Sequence, residues 1–186
     1  MIVPNRKILV VDDDSKVLDA YRQVLVVNEE DSADELMELL MGDLSLEQDE
    51  SEKTVLESSD AFDVTTASAG EEAIELFKQA QEEGTPFASV FLDVRMPPGM
   101  DGVECAGQLK RLDPDVYIVI VSAYSDYSID DIHNHVGHDF LYLQKPFRSE
   151  ELAQVARFFA HSWGRHAAER EKMAKWEAEL EHYRSQ

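Results

Sequence analysis

"FLDVRMPPGMDG", residues 91–102, changes from apolar residues to polar and turn-forming ones, and this change decides the fold. An apolar run ends at an aspartate, Asp93, and the prolines and glycines that follow prevent any regular continuation. A turn is the simplest explanation, because Asp, Pro and Gly all favour turns. A functional carboxylate is the alternative, and it requires other reactive side chains to lie at the same place.

Strand-like apolar runs alternate along the chain with segments of helical spacing. The runs occupy residues 7–11, 62–67, 88–92, 116–121 and 140–143. Ser68 and Glu71 have the spacing of a capping box before the second helical segment, and Ser149 is the expected N-cap of the last one. This alternation predicts an α/β fold, a doubly wound five-stranded parallel sheet with helices on both faces.

Polar residues stand at the ends of four of these runs. In open parallel sheets, ligands bind beyond the carboxyl ends of the strands. The residues are Asp12 and Asp13 after the first run, Asp93 after the third, Ser122 after the fourth and Lys145 after the fifth. Asp14 or Ser15 is expected to cap the helix that follows the first strand. The sequence therefore predicts a cluster of carboxylates, a hydroxyl and an ammonium at one edge of the sheet.

Such a cluster suits phosphoryl chemistry. Neighbouring carboxylates raise one another's pKa unless a hard cation neutralises them, and Mg²⁺ prefers oxygen ligands of this kind. An ionised Asp93 could then attack a phosphoryl group and form an acyl phosphate. Lys145 would offset charge on the phosphoryl oxygens, and the Ser122 hydroxyl would donate a hydrogen bond to one of them.

Four motifs together carry a resemblance to a known family. "ILVVDDD" (8–14), "FLDVRMPPGMDG" (91–102), "IVIVSAYSD" (118–126) and "LYLQKPF" (141–147) occur in this order. The pattern resembles the receiver domain of two-component response regulators over residues 6–160, apart from an insertion at about 29–60. The resemblance implies the flavodoxin-like strand order 2-1-3-4-5. One proline more than the usual motif, in "MPPGMDG", departs from the family pattern without touching the acceptor.

The resemblance also implies a role for each site residue. Asp93 is similar to the phospho-acceptor, and Lys145 to the lysine that assists the transfer. Ser122 and Tyr142 match the two switch residues of the family. The implied Mg²⁺ ligands are Asp12, Asp13, Asp93 and the main-chain carbonyl of Arg95. By the same analogy, the Lys145–Pro146 bond is expected to be cis.

Acidic residues dominate the insertion and the net charge of −22. Residues 29–60 contain thirteen acids and one base, Lys53, which is typical of a solvated segment. Direct nucleic-acid binding is not expected, because phosphate contacts need clustered Lys and Arg. Leu36, Leu39 and Leu40 have helical spacing, so we expect a short added helix there. We also expect the insertion to be dispensable for the chemistry, since long surface insertions cost little closure entropy.

The segment from Ser149 to Gln186 continues a helical pattern well beyond what a receiver needs. Its heptad positions form an imperfect seam with polar defects: Leu152, Phe159, His166, Met173 and Leu180, and three residues further on Val155, Ser162, Glu169, Trp176 and Tyr183. We expect a receiver over residues 1–160 and a helical, coiled-coil-forming segment over 161–186. This helix would lead to a covalently linked output domain outside this chain and mediate a homodimer. A solvated helix with no partner is the alternative.

Composition and motif details limit the function classes. No stretch resembles a signal peptide or a membrane helix, so a cytoplasmic protein is expected. The expected partner is a histidine kinase or a phosphotransfer protein, and the chain would catalyse only its own phosphorylation and dephosphorylation. A hydrolase of the haloacid dehalogenase type is a rival, but it needs a second acid two residues after the nucleophile, where Arg95 stands. A non-phosphorylated scaffold is a weaker rival, because every site residue type is present.

Overall fold

The computed structural model describes residues 3–26, 61–123, 127–137 and 139–184. The acidic insertion and its expected short helix therefore lie outside the described residues. Within these described ranges, five strands and five helices alternate: β1 Lys7–Val11, α1 Ser15–Leu25, β2 Asp63–Ala67, α2 Gly70–Glu82, β3 Ser89–Asp93, α3 Gly102–Leu112, β4 Tyr117–Ser122, α4 Ile129–Val136, β5 Phe140–Gln144 and α5 Ser149–Arg184. Among the described residues, no helix is long and apolar enough to cross a membrane.

The five strands form one parallel sheet in the order β2-β1-β3-β4-β5. This confirms the predicted fold class and strand order. Side chains along β1 alternate between two cores, because successive strand residues point to opposite faces. Leu9 and Val11 pack beneath α2, α3 and α4, and Ile8 and Val10 pack beneath α1 and α5. The central strands are therefore buried on both faces, as their continuous apolar runs predicted.

Two of the helix caps that the sequence predicted are wrong. Ser68 does not form a box with Glu71, since its backbone N–H and hydroxyl both donate to Glu72, at 2.8 and 2.9 Å. Helix α5 begins at Ser149 itself, and the carbonyl of Arg148 already accepts the first helical bond from Leu152, so Ser149 is not the N-cap. Asp14 caps α1 through the Lys16 N–H, as expected.

Helix α5 has 36 residues, which is about 54 Å at 1.5 Å per residue. Leu152, Ala156 and Phe159 bury its first turns against the sheet. Contacts with the domain continue past residue 160. Tyr117, at the start of β4, stacks on Phe159 with 4.6 Å between ring centroids and forms a hydrogen bond with Nδ1 of His166 at 3.0 Å.

An ion pair between Arg170 and Asp115, just before β4, extends the contacts of α5 with the domain. From residue 171 to Arg184 every helical residue is exposed. The structure therefore shows domain contacts for ten residues past the expected boundary after Ala160. That boundary stays a prediction, and so does the coiled coil beyond it.

Candidate functional site

The carboxyl edge of the sheet brings together an ammonium and two carboxylates. Lys145 follows β5, and its Nζ donates to Oδ2 of Asp12 and to Oδ1 of Asp93, each at 2.7 Å. Asp12 follows β1 and Asp93 ends β3, which are neighbouring strands. The side chains are 5%, 12% and 23% exposed for Asp12, Asp93 and Lys145. The ion pairs are thus largely desolvated, while solvent still reaches the site.

The second oxygen of each carboxylate is held by the backbone. The Arg95 N–H donates to Oδ2 of Asp93 at 2.8 Å, and the Asp14 N–H donates to Oδ1 of Asp12 at 3.0 Å. Both bonds join residues two apart, the Asx-turn geometry that aspartate favours at the end of a strand. The turn explanation for Asp93 is therefore correct as far as it goes. A turn alone does not explain the contact between Asp93 and Lys145.

Burial and charge shift the protonation of the cluster in definable directions. Burial raises the pKa of Asp12, and the charge of Asp93 raises it further, while the hydrogen bond and the charge of Lys145 partly offset both. Burial alone would lower the pKa of Lys145, but its hydrogen bonds to Asp12 and Asp93 outweigh this, and the pKa is raised. The ammonium form of Lys145 is therefore the stable form, which suits an electrostatic role beside a phosphoryl group.

Ser122 and Tyr142 lie on the two strands at the Lys145 side of the site. Ser122 is the last residue of β4 and is 2% exposed, and its carbonyl accepts a hydrogen bond from the Lys145 N–H at 2.9 Å. Tyr142 stands opposite Ile120 in the parallel register of β4 and β5. It is half-buried and packs against the core under α2, α3 and α4.

Asp13 and Arg95 complete the set of residues that the sequence singled out, and both are exposed. In the described part of the chain, no three His, Cys, Asp or Glu side chains are grouped closely enough to hold a metal ion. Mg²⁺ commonly takes only one or two protein carboxylates and keeps several waters. The adjacent carboxylates of Asp12 and Asp93, with solvent access, fit that donor chemistry without forming a complete protein cage.

Gly102 allows α3 to begin directly against the acceptor strand. A Cβ at this position would overlap the carbonyl oxygen of Asp93, and the Gly102 N–H donates to the Val94 carbonyl at 3.0 Å. Only glycine permits this approach without moving the backbone that carries Asp93. Asp101 caps α3 by accepting from the Glu104 N–H. Asp101 and Gly102, the last two residues of "PPGMDG", therefore fix the backbone of the site.

Two side chains that the sequence did not assign to the site hold the loop after Asp93. Glu71, the first acid of α2, accepts from the Met100 N–H at 3.1 Å. The Tyr127 hydroxyl donates to Oδ2 of Asp101 at 2.6 Å, and this hydrogen bond, with smaller contributions from burial and nearby acids, raises the pKa of Tyr127 to about 12. Both contacts join residues more than 25 positions apart, so no local pattern could have indicated them.

Another unanticipated residue lies beneath the carboxylates. Tyr21 on α1 is 3% exposed and packs its ring against Phe91 and Phe147, each with 5.9 Å between ring centroids. Burial raises the pKa of its hydroxyl, and the charges of Asp12 and Asp93 raise it further. Tyr21 lies on the buried side of α1, and its closeness to both carboxylates depends on how α1 packs against the sheet.

A surface depression of about 580 Å³ opens beside the acceptor. It is formed by the loop after Asp93 and by Tyr127, two residues before α4. Its lining residues are Val94, Arg95, Met96, Pro97, Gly99, Asp101 and Tyr127. Tyr127 and Asp101, which are joined by a hydrogen bond, both line this depression, so the contact that holds the loop also contributes to its wall.

Comparison with known proteins identifies the family of the chain. The model of the response regulator receiver domain matches residues 45–157, more than half of the chain. The chain belongs to this family. The matched part of the receiver contains Asp93, Ser122 and Lys145 but begins after β1, so Asp12 joins them through the position of β1 between β2 and β3. Receiver domains of response regulators are part of two-component signalling, as the resemblance implied.

A curated relative and several solved structures agree with this assignment. An uncharacterized response regulatory protein of Vibrio cholerae is 30% identical over 118 residues, which is 63% of this chain and 42% of the relative. The chain thus spans less than half the length of that relative.

The solved structures are similar in fold. A CheY-like receiver from Methanospirillum hungatei has a TM-score of 0.57 at 20% identity, covering 87% of this chain and 98% of its own. An adenylate cyclase structure from Rhodopirellula baltica has a TM-score of 0.63 at 21% identity, covering 92% and 98%. CheY in a CheX-CheY-BeF3-Mg²⁺ complex from Borrelia burgdorferi has a TM-score of 0.53 at 20% identity, covering 80% and 84%.

Proposed function

We propose that this receiver accepts a phosphoryl group on Asp93 in a Mg²⁺-dependent reaction and passes the resulting state on through α5. The observation that carries the proposal is the bridge of Lys145 between Asp12 and Asp93, at 2.7 Å to each carboxylate. A structural ion pair needs one carboxylate. Two largely buried carboxylates around one lysine leave an excess negative charge that a divalent cation would neutralise.

The residues divide the chemistry between them. A carboxylate oxygen of Asp93 forms a bond to phosphorus, and the bond from phosphorus to the donor's leaving group breaks, so that the leaving group departs with the electron pair. Lys145 lies within hydrogen-bonding distance of Asp93 and so beside the incoming phosphoryl oxygens, whose charge it offsets. Ser122, at the end of the adjacent strand, supplies the hydroxyl that donates to a phosphoryl oxygen.

Asp12, Asp13, Asp93 and the carbonyl of Arg95 are the residues that would hold Mg²⁺. The bound cation would supply charge neutralisation at the carboxylates and at the phosphoryl oxygens. The donor chemistry of Asp12 and Asp93 supports this assignment, and one structural neighbour, CheY from Borrelia burgdorferi, was solved in complex with BeF3 and Mg²⁺. The receiver acts as a phospho-acceptor and catalyses only its own phosphorylation and dephosphorylation.

The phosphoryl chemistry implies one partner, and the extended helix α5 supports two more. A histidine kinase or a phosphotransfer protein supplies the phosphoryl group, and α5 connects the receiver to a covalently linked output domain beyond this chain. Ser122 and Tyr142 act as the switch residues. A second copy of the chain contacts α5 and forms a homodimer. We assign the receiver itself to residues 1–160 and the coupling helix to residues 161–186.

Intact-protein mass spectrometry with a small-molecule phosphodonor tests the proposal. Incubation with Mg²⁺ is expected to add the mass of one phosphoryl group, and removal of Mg²⁺ by a chelator is expected to abolish the addition. Asp93→Asn should not be labelled, because an amide nitrogen is not a nucleophile of this kind.

Asp14→Asn is the matched control. Asp14 belongs to the same acidic triplet and is exposed, and asparagine caps helices as well as aspartate does, so α1 should keep its cap. This variant should be labelled like the unmodified chain. Labelling of Asp93→Asn, or labelling that does not depend on a divalent cation, would overturn the proposal.

A further inference from the structure

The exposed end of α5 carries an apolar stripe that the domain leaves uncovered. Its members recur at intervals of three and four residues, and each is more than half exposed: Met173 (54%), Trp176 (54%), Leu180 (58%) and Tyr183 (75%). A lone solvated helix has no physical reason to place its large apolar side chains on one side. This spacing is that of alternating a and d positions in two heptads.

The stripe lies on a different side of α5 from the side that packs on the sheet. Leu152 and Arg170 are eighteen residues apart, which is five turns, so they mark the same side, and both contact the domain. Phe158 and Trp176 are also eighteen residues apart and mark a second side. At 3.6 residues per turn, this side lies roughly 120° around the helix from the first. Phe158 is 59% exposed, so the second side is open beside the domain as well as beyond it.

Two orientations of a second α5 would bury the stripe, and the charges beside the stripe distinguish them. With Met173 and Leu180 at a positions, Lys172 and Glu179 occupy g positions, and Glu177 and Arg184 occupy e positions. In a parallel pair in register, a g residue faces the e residue of the next heptad. Lys172 then faces Glu177 of the second copy, and Glu179 faces Arg184, so all flanking pairs are attractive.

An antiparallel pair brings like charges together. Burying all four stripe residues in that orientation pairs Trp176 with Leu180 of the second copy, and g then faces g while e faces e. Glu177 would face Glu177, and Glu179 would face Glu179. Like charges at these positions disfavour the arrangement, because the e and g residues set partner choice and orientation.

We propose that residues 171–184 form a parallel, in-register homodimer interface, with a second copy of this chain as the partner. The domain holds the preceding part of α5 through Tyr117 and Asp115, which leaves the interface to begin just after Arg170. This interface rests on the homodimer of the proposed function and gives its orientation and register. It does not depend on phosphorylation of Asp93. It is therefore tested on the unphosphorylated chain.

Disulfide trapping provides the test, because the native cysteine, Cys105, is buried and its pKa is raised to about 12, chiefly by burial. Leu180→Cys places a thiol in the stripe, where the two copies of residue 180 meet only in a parallel pair in register. Ala178→Cys is the matched control, since position 178 is an f position on the outer side of such a pair. Under mild oxidation of the full chain, Leu180→Cys is expected to form a disulfide-linked dimer roughly tenfold faster than Ala178→Cys.

Charge reversal in the Leu180→Cys chain checks the orientation. Lys172→Glu places an acid opposite Glu177 of the second copy and should slow the cross-linking by roughly tenfold. The double variant Lys172→Glu with Glu177→Lys reverses the pair and should restore the rate. All of these positions are exposed, so circular dichroism should show an unchanged fold.

Three results would overturn the proposal. One is equal cross-linking of Leu180→Cys and Ala178→Cys. Another is cross-linking between Trp176→Cys and Leu180→Cys chains in preference to Leu180→Cys alone, which would indicate an antiparallel pair. The third is a monomer at high concentration in sedimentation of the unmodified chain. None of them bears on labelling of Asp93, so the two proposals can fail separately.

Discussion

Helix α5 consists of two parts that have the same backbone structure but different surroundings. In residues 149–170 one side of the helix is buried against the sheet, and polar side chains such as His166 and Arg170 have partners on the domain. In residues 171–184 every side chain is exposed, and the ion pair of Lys175 with Glu171, at 2.6 Å, joins two residues of the helix itself.

This difference shows where the stability of a helix comes from. Short helices are marginal in water, and most of their stability in proteins comes from packing an apolar face. The first part of α5 obtains this packing from its own domain. The second part has an apolar stripe of comparable size with no packing in the monomer, so the same residue types should contribute very differently to the free energy of unfolding in the two parts.

The largest expected difference compares two leucines of the same helix. Leu152 is 1% exposed and Leu180 is 58% exposed. Leu152→Ala should lower the free energy of unfolding by about 2–5 kcal/mol, because it leaves a cavity in the core. Leu180→Ala should change it by less than about 0.5 kcal/mol in the monomer.

Urea denaturation followed by circular dichroism measures both leucine variants, at a protein concentration where sedimentation shows a monomer. The slope of the unfolding free energy against urea should not change, so that the shift in midpoint reports stability alone. Similar losses in the two variants would contradict the division of α5 into a packed and an unpacked part.

A smaller effect is expected at the hydrogen bond that holds the middle of α5. Tyr117→Phe removes the hydroxyl that bonds to Nδ1 of His166 but keeps the ring that stacks on Phe159. The unfolding free energy should fall by about 0.5–1.5 kcal/mol, the usual net value of such a bond. Tyr183→Phe is the matched control, because Tyr183 is 75% exposed, and it should leave the monomer unchanged. Equal effects at both tyrosines would mean that α5 is not held at His166.

The smallest effect is expected where the domain contacts end. Asp115 and Arg170 are about half exposed, so their ion pair should contribute only about 0.2–1 kcal/mol. A double-mutant cycle with Asp115→Ala and Arg170→Ala measures this coupling, and added salt should reduce it. Arg184→Ala, at the exposed end of the helix, serves as the control and should show no coupling to Asp115. A coupling that salt leaves unchanged would place the pair in a less solvated setting than the structure shows.

Much of the candidate site was predictable because it depends on local rules. Four of the five apolar runs end at polar residues that the sequence singled out, and the carboxyl ends of parallel strands share one edge of the sheet. That was enough to bring Asp12, Asp93, Ser122 and Lys145 to one edge, and the structure places them there. The contact of Glu71 with Met100 was not predictable, because either Glu71 or Glu72 could have paired with Ser68, and only the path of the loop decides which one does.

The sequence by itself determined that α5 carries an imperfect heptad pattern of apolar residues between Leu152 and Tyr183. The tertiary structure decided which of them the domain uses. Leu152 and Phe159 face the sheet, whereas Met173 and Leu180 lie past Arg170, in the exposed part of the helix. Periodicity depends on neighbours along the chain, but burial depends on where the rest of the chain is in space. For this reason one repeated pattern became a core in one half of the helix and an exposed surface in the other.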